Sequence, residues 1–210
     1  MDILMAVVDF IPVILFLIGA IHYQRDLYNK MSKGAFSLFA AGTIFVFVAG
    51  VFKATYKLLY YCNVCDFQAL NSAFFPMQTT GFVLAGSGIL AMLVHPQGEN
   101  KIYSFIPLPL MTLLAPAVFN GTMIFVVFMV LGVLVMDGCL VYIAIKRKTP
   151  LAIVLLVIAF ICTLGMGYLS TKAELSDWIK EFVNTIGQAC FLASSLVLRK
   201  HGLKEANALN

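Results

Sequence analysis

Long apolar runs, interrupted at regular intervals by short polar segments, set the pattern of this chain. Seven runs stand out, near residues 3 to 22, 35 to 58, 68 to 94, 102 to 118, 121 to 145, 150 to 171 and 178 to 198. Each is close to the roughly 20 residues with which an α-helix crosses about 30 Å of hydrocarbon. The pattern therefore predicts an all-α integral membrane protein of seven transmembrane helices. The runs use nearly all of the 210 residues, so one membrane domain over 1–210 is expected, ending in a short tail over 199–210, with no soluble domain. Asp66 and Thr149 stand where N-caps belong, Thr149 with Pro150 behind it at the first turn. The first run starts at Ile3 with no basic segment before it and no small-residue cleavage site after it, and is read as the first membrane helix.

Composition agrees: 61% of residues are hydrophobic and 11% charged, against about 25% charged in soluble domains. Basic residues fall in alternate loops, namely Arg25, Lys30 and Lys33, then Lys101, then Lys146, Arg147 and Lys148, then Arg199, Lys200 and Lys204. Short loops rich in Lys and Arg stay on the cytoplasmic side, which predicts an outside N-terminus, an inside C-terminus and a multi-pass protein of the plasma membrane. This asymmetry accounts for the net charge of +4 and implies no nucleic-acid partner. Membrane lipids are the expected surroundings, and assembly into an oligomer is left open.

Polar residues inside the runs carry the functional reading, because a charge at membrane depth costs about 2.5 to 3.5 kcal/mol even on the mildest scale and is usually retained for use. Gly50 to Gln78 holds Lys53, Lys57, Asn71 and Gln78 within two helices otherwise suited to lipid. Asp9 stands near Pro12 in the first run, Asp137 in the inner half of the fifth, and Glu181, Asn184, Thr185 and Gln188 share one face of the seventh. At 1.5 Å per residue, Asp9, Lys53, Asn71, Gln78, Asn184 and Gln188 lie roughly 8 to 18 Å below the outer interface. An outward-facing pocket among the first, second, third, sixth and seventh helices is expected, with Asp9 and Lys53 as its charged pair and Tyr56 and Tyr168 near its mouth. Lys57, only about 5 Å below the interface, is expected to snorkel outward. Asp137 has two readings: pairing with a cytoplasmic lysine, or titrating as a coupling carboxylate.

Known intramembrane chemistries do not fit the residues present. His22, His95 and His201 fall at helix ends or in the tail, which argues against the zinc hydrolases of the adiponectin-receptor type. No lysine lies between Lys180 and Arg199 to carry retinal, Ser87 in AGSG lacks a histidine partner, and Asp9 and Asp137 sit at opposite depths. No catalytic residue, metal site or cofactor is assigned. Cys62 and Cys65 form CNVC in an outside loop, either as a loop-stapling disulfide or as free thiols. Cys139, Cys162 and Cys190 fall within helices and act as small apolar residues.

The chain also repeats itself. KMSKGAFSLFAAGTIFVFVAG and RKTPLAIVLLVIAFICTLGMG each run from a basic residue to a glycine; GVFKATYKL is then echoed by GYLSTKAEL, Asn71-Ser72 by Asn184-Thr185, and Gln78 by Gln188. This predicts parallel three-helix repeats over 1–95 and 121–198, joined by a linker helix over 102–118 and related by an axis along the membrane normal. In this the chain resembles the three-plus-one-plus-three plan of PQ-loop and SWEET transporters, which implies substrate contacts from Asn71 and Asn184; the Pro-Gln pair is absent, Val13 following Pro12. The expectation is transport of an unknown small polar molecule. The alternatives are a seven-helix sensor signalling through the basic loops and, behind it, a lipid-modifying enzyme.

Overall fold

The computed structural model describes residues 3–94, 123–170 and 176–203. Helix α1 spans Ile3–Val8, α2 Phe10–Leu27, α3 Lys33–Tyr61, α4 Gln68–Val94, α5 Met123–Lys146, α6 Pro150–Ser170 and α7 Asp177–Lys200, with a 3-10 turn at Tyr28–Lys30 after α2. Among the described residues six segments are long and apolar enough to cross a membrane, α1 and α2 counting together as one span from Ile3 to Lys30. The linker helix expected over 102–118 and the loop residues Lys172 and Glu174 lie outside the described residues.

The bounds follow from local chemistry. The second helix starts two residues earlier than expected because Ser32 is a true N-cap, its hydroxyl accepting from the Ala35 N–H at 3.2 Å. Asp66 behaves differently from expectation: its carboxylate accepts from the Gln68 side-chain amide at 2.8 and 3.0 Å. Thr149 likewise turns back, its hydroxyl donating to the Ala144 carbonyl at 3.0 Å, while Pro150 opens α6 as expected.

The helices form a closed ring in chain order: α2 packs on α3, α3 on α4, α4 on α5, α5 on α6, α6 on α7, and α7 returns to α2. Its outer surface is apolar, with Ile11, Ile14, Ile18 and Ile21 exposed along one face of α2 and Val127, Leu131 and Leu134 along α5. This inverts the soluble arrangement and leaves lipid as the matching solvent. Helix α4 is the most deeply enclosed, between α3 and α5. A Cβ at Gly88 would stand 2.7 Å from the Ala35 carbonyl oxygen, and one at Gly132 2.7 Å from the Val83 nitrogen. Small residues thus let the backbones touch, the usual basis of helix association without a hydrophobic drive.

Interhelical hydrogen bonds complete the ring. Tyr23 and Ser194 share one of 2.7 Å between α2 and α7, and the Gln24 amide donates to Thr43 at 2.6 Å between α2 and α3. The Thr79 hydroxyl donates to the Phe125 carbonyl at 2.9 Å between α4 and α5. The two ends of the ring differ. One carries Arg25, Lys30, Lys33, Lys146 and Arg199 and is the basic end; the other carries the turn 62–67 and is the turn end.

Candidate functional site

Side chains on an α-helix lean toward its N-terminus. Helix α3 begins at the basic end, so its lysines lean down into the ring; α4 begins at the turn end, so its early side chains lean outward. These directions, more than depth, decide which polar residues meet.

A cavity of about 290 Å³ occupies the turn-end half of the ring and takes lining residues from all six spans. Near its mouth lies an ionic network. The Lys57 ammonium pairs with Asp9 and stands 3.9 Å from a Glu181 oxygen, with the lysine 21% exposed and the two carboxylates 5% and 7%. The Asn184 amide donates to Glu181 at 3.3 Å. Beside it Lys180 pairs with Asp177 at 3.1 Å. Lys53 hangs deeper, its ammonium 4.3 Å from the Phe74 ring centroid, a cation–π contact. Among the described residues no carboxylate lies within ion-pairing distance of Lys53. One Asp9 oxygen, Oδ1, is buried without a hydrogen-bond partner.

Five of the expected pocket residues, Asp9, Lys53, Gln78, Asn184 and Gln188, line this cavity, and Tyr56 and Asn71 do not. Asn71 is exposed on the part of α4 that leads out of the ring, two turns before Gln78, and its outward lean carries it away. Tyr56 is drawn toward the turn, its ring stacked on Tyr60 at 6.0 Å and its hydroxyl accepting from Gln68 at 3.1 Å. The ion pair expected between Asp9 and Lys53 is made by Lys57 instead, so Lys57 does not snorkel. Nor does Asp9 cap a helix; its carboxylate makes no cap bond to α2. Glu181 was legible only as part of the polar face it shares with Asn184 and Gln188, and its place against Lys57 depends on α7 closing the ring onto α2. Tyr168 is 63% exposed.

The floor of the cavity is apolar and then closes. Phe16 stacks on Phe191 at 5.5 Å and meets Phe82 edge-on at 6.4 Å, while Tyr23 lies against Phe191 at 5.2 Å. Beneath Phe16 and Phe82 is a hollow of about 10 Å³, bordered also by Gln188 and Asp137. Asp137 is 5% exposed and its Oδ1 has no hydrogen-bond partner. Among the described residues no lysine pairs with Asp137, and Lys146 lies over the Tyr142 ring at 5.7 Å. Toward the basic end the ring is solid, with Leu27, Ile143, Ala144, Leu198 and Leu203 all at most 1% exposed.

Cys62 and Cys65 are exposed free thiols, so no disulfide staples the turn. Among the described residues no group of three or more His, Cys, Asp or Glu is placed to hold a metal. Comparison of the chain with protein-family models, curated proteins and solved structures finds no match.

Proposed function

We propose that the chain is a membrane transporter of a small polar solute, with its solute site in the cavity at the turn end. One observation carries this: a cavity with charged groups near its mouth, open at one end of a lipid-compatible ring and stopped at the other by Phe16, Phe82 and Phe191, which is the shape of one access state of an alternating-access carrier. The basic end is cytoplasmic in this reading and the cavity faces outward, by the distribution of Lys and Arg. Seven spans in the plasma membrane, on a plan resembling PQ-loop and SWEET transporters, belong to the same proposal.

Internal symmetry supports it. Adding 117 to the residue number carries the first residue of α3, Lys33, onto the first of α6, Pro150. The same shift pairs Ala35 with Ala152 and Phe39 with Leu156, all at most 1% exposed. It also pairs Val46 with Thr163 and Gly50 with Gly167 on the cavity wall. Packing around the ring repeats every three helices: α3–α4 and α6–α7 are the tight pairs of their halves, α2–α3 and α5–α6 the loose ones. In the first half Gly81 packs against Gly42; in the second Gly187 faces Ala159, the residue that the shift pairs with Gly42. That register sets Asn184 opposite Gln78 rather than Asn71, each three residues before its glycine. The loose seams fall inside the halves, between the first helix of each and its tight pair. Asp137, beneath the aromatic stop, is the coupling carboxylate in this reading.

Counterflow in liposomes tests the proposal. Saturable exchange of a solute that is lost in Asn184→Ala and kept in Asn71→Ala is the expected result. Binding of that solute with no flux overturns transport and leaves the ligand-binding sensor.

A further inference from the structure

Resting on that reading of the cavity as a solute site, we propose that it takes a zwitterion, an ammonium and a carboxylate on one small apolar body, as in a medium-sized apolar α-amino acid. Among the described residues the charges lining the cavity are three cations, Lys53, Lys57 and Lys180, and three carboxylates, Asp9, Asp177 and Glu181. Equal numbers disfavour a ligand with net charge, because adding one leaves an uncompensated charge in a low-dielectric site.

Their internal pairing then separates the signs. Lys180 is taken by Asp177. Lys57 is shared by Asp9 and Glu181, so that cluster has one carboxylate more than it has cations, and the buried Asp9 Oδ1 has no hydrogen-bond donor among the described residues. Lys53 is the surplus cation, and Phe74 meets only one face of an ammonium that has three N–H donors. One cavity thus presents an unfilled acceptor at an anionic cluster and unfilled donors on a separate cation. A ligand ammonium satisfies the first and a ligand carboxylate the second, each as a charge-assisted hydrogen bond.

The remaining wall fixes the rest of the molecule. Phe16, Phe47, Phe75 and Phe82 also line the cavity, and an apolar side group is the surface that matches them. At about 290 Å³ the cavity has room for a molecule of this size. A sugar leaves Lys53 and the Asp9–Glu181 cluster facing hydroxyls and gives the aromatic wall little to bury.

The test uses the purified full-length protein in nanodiscs and calorimetric titration with four probes: L-phenylalanine, phenethylamine, 3-phenylpropionate and glucose. L-phenylalanine is expected to bind at least ten-fold more tightly than either singly charged analogue, with glucose silent. Lys53→Met is expected to weaken L-phenylalanine at least ten-fold while leaving phenethylamine unchanged, and Lys53→Arg to restore most of the loss. Equal binding by an analogue, preference for glucose, no binding by any of the four, or a Lys53→Met protein indistinguishable from the parent overturns the zwitterion assignment. Liposome counterflow with whichever probe binds keeps the two readings apart: zwitterion binding without flux defeats transport alone, and flux of a singly charged probe defeats the zwitterion alone.

Discussion

Replacing Lys57 by Met should damage the fold, and replacing Lys53 by Met should not. Lys57 stands 3.9 Å from Glu181, a separation at which unit charges attract by about 4 kcal/mol at an effective dielectric constant of 20. It also pairs with Asp9, so its loss leaves two buried carboxylates without a cation. Stripping one partner from a buried pair costs about 3 to 5 kcal/mol; Lys57 keeps 21% of its surface exposed toward the cavity mouth, and screening there lowers the expectation to about 2 to 3 kcal/mol. At about 2 to 4 °C per kcal/mol for a chain of this size, the midpoint of thermal unfolding should fall by roughly 4 to 12 °C. Lys53→Met surrenders a cation–π contact worth about 0.5 to 2 kcal/mol but removes an unpaired charge from a low-dielectric place, so the net change should stay within about 1 kcal/mol. Unfolding in detergent is readable from the single tryptophan, Trp178, at the start of α7. Asp9→Asn combined with Lys57→Met should be less damaging than the sum of the single changes by about 1 to 3 kcal/mol, the signature of a direct pair. A Lys53→Met protein as destabilised as Lys57→Met, or strict additivity in the double variant, would refute the assignment of Lys57 as the structural cation.

Packing, thiol and carboxylate predictions accompany it. Gly88→Ala should destabilise by about 1 to 3 kcal/mol, since its Cβ would lie 2.6 Å from the Phe39 nitrogen, whereas Gly165, with no described atom within 4 Å of its Cβ, should accept Ala with a gain of about 0.5 to 1 kcal/mol; thermal unfolding of the two variants checks the contrast. A maleimide should modify Cys62 and Cys65 in the native protein, with no prior reduction, and reach Cys139 only on unfolding, as read by intact mass. Asp137→Leu removes a buried oxygen without a partner and should raise stability by about 1 to 3 kcal/mol, while solute accumulation driven by an ion gradient is lost in the liposome assay.

Much of the fold was legible because the bilayer imposes a one-dimensional rule. A helix must supply about 20 apolar residues whatever it packs against, so the expected 68–94 coincides with α4, and 121–145 and 178–198 fall within two residues of α5 and α7. The inward placement of Asp9, Lys53, Gln78, Asn184 and Gln188 was legible for the same reason: lipid excludes such groups, and only the ring interior remains.

Depth alone could not select among the polar residues. Lys53 and Lys57 share a face of α3, and counting residues from the interface assigns the shallower one to water. The structure sets Gly50 against Val13, where a Cβ would lie 2.9 Å from a Val13 methyl carbon. The lean of side chains toward the helix N-terminus then brings Lys57 down to Asp9 and leaves Lys53 deeper, over Phe74. The same lean, reversed on α4, sends Asn71 out of the cavity. Sequence thus determined that this is a membrane helix bundle with buried polar groups, because hydrophobic length and burial cost are properties of each segment by itself. Which charges pair, which amides face one another and where the cavity stops were decided only when the ring closed, because they depend on the relative height and direction of helices distant in the chain.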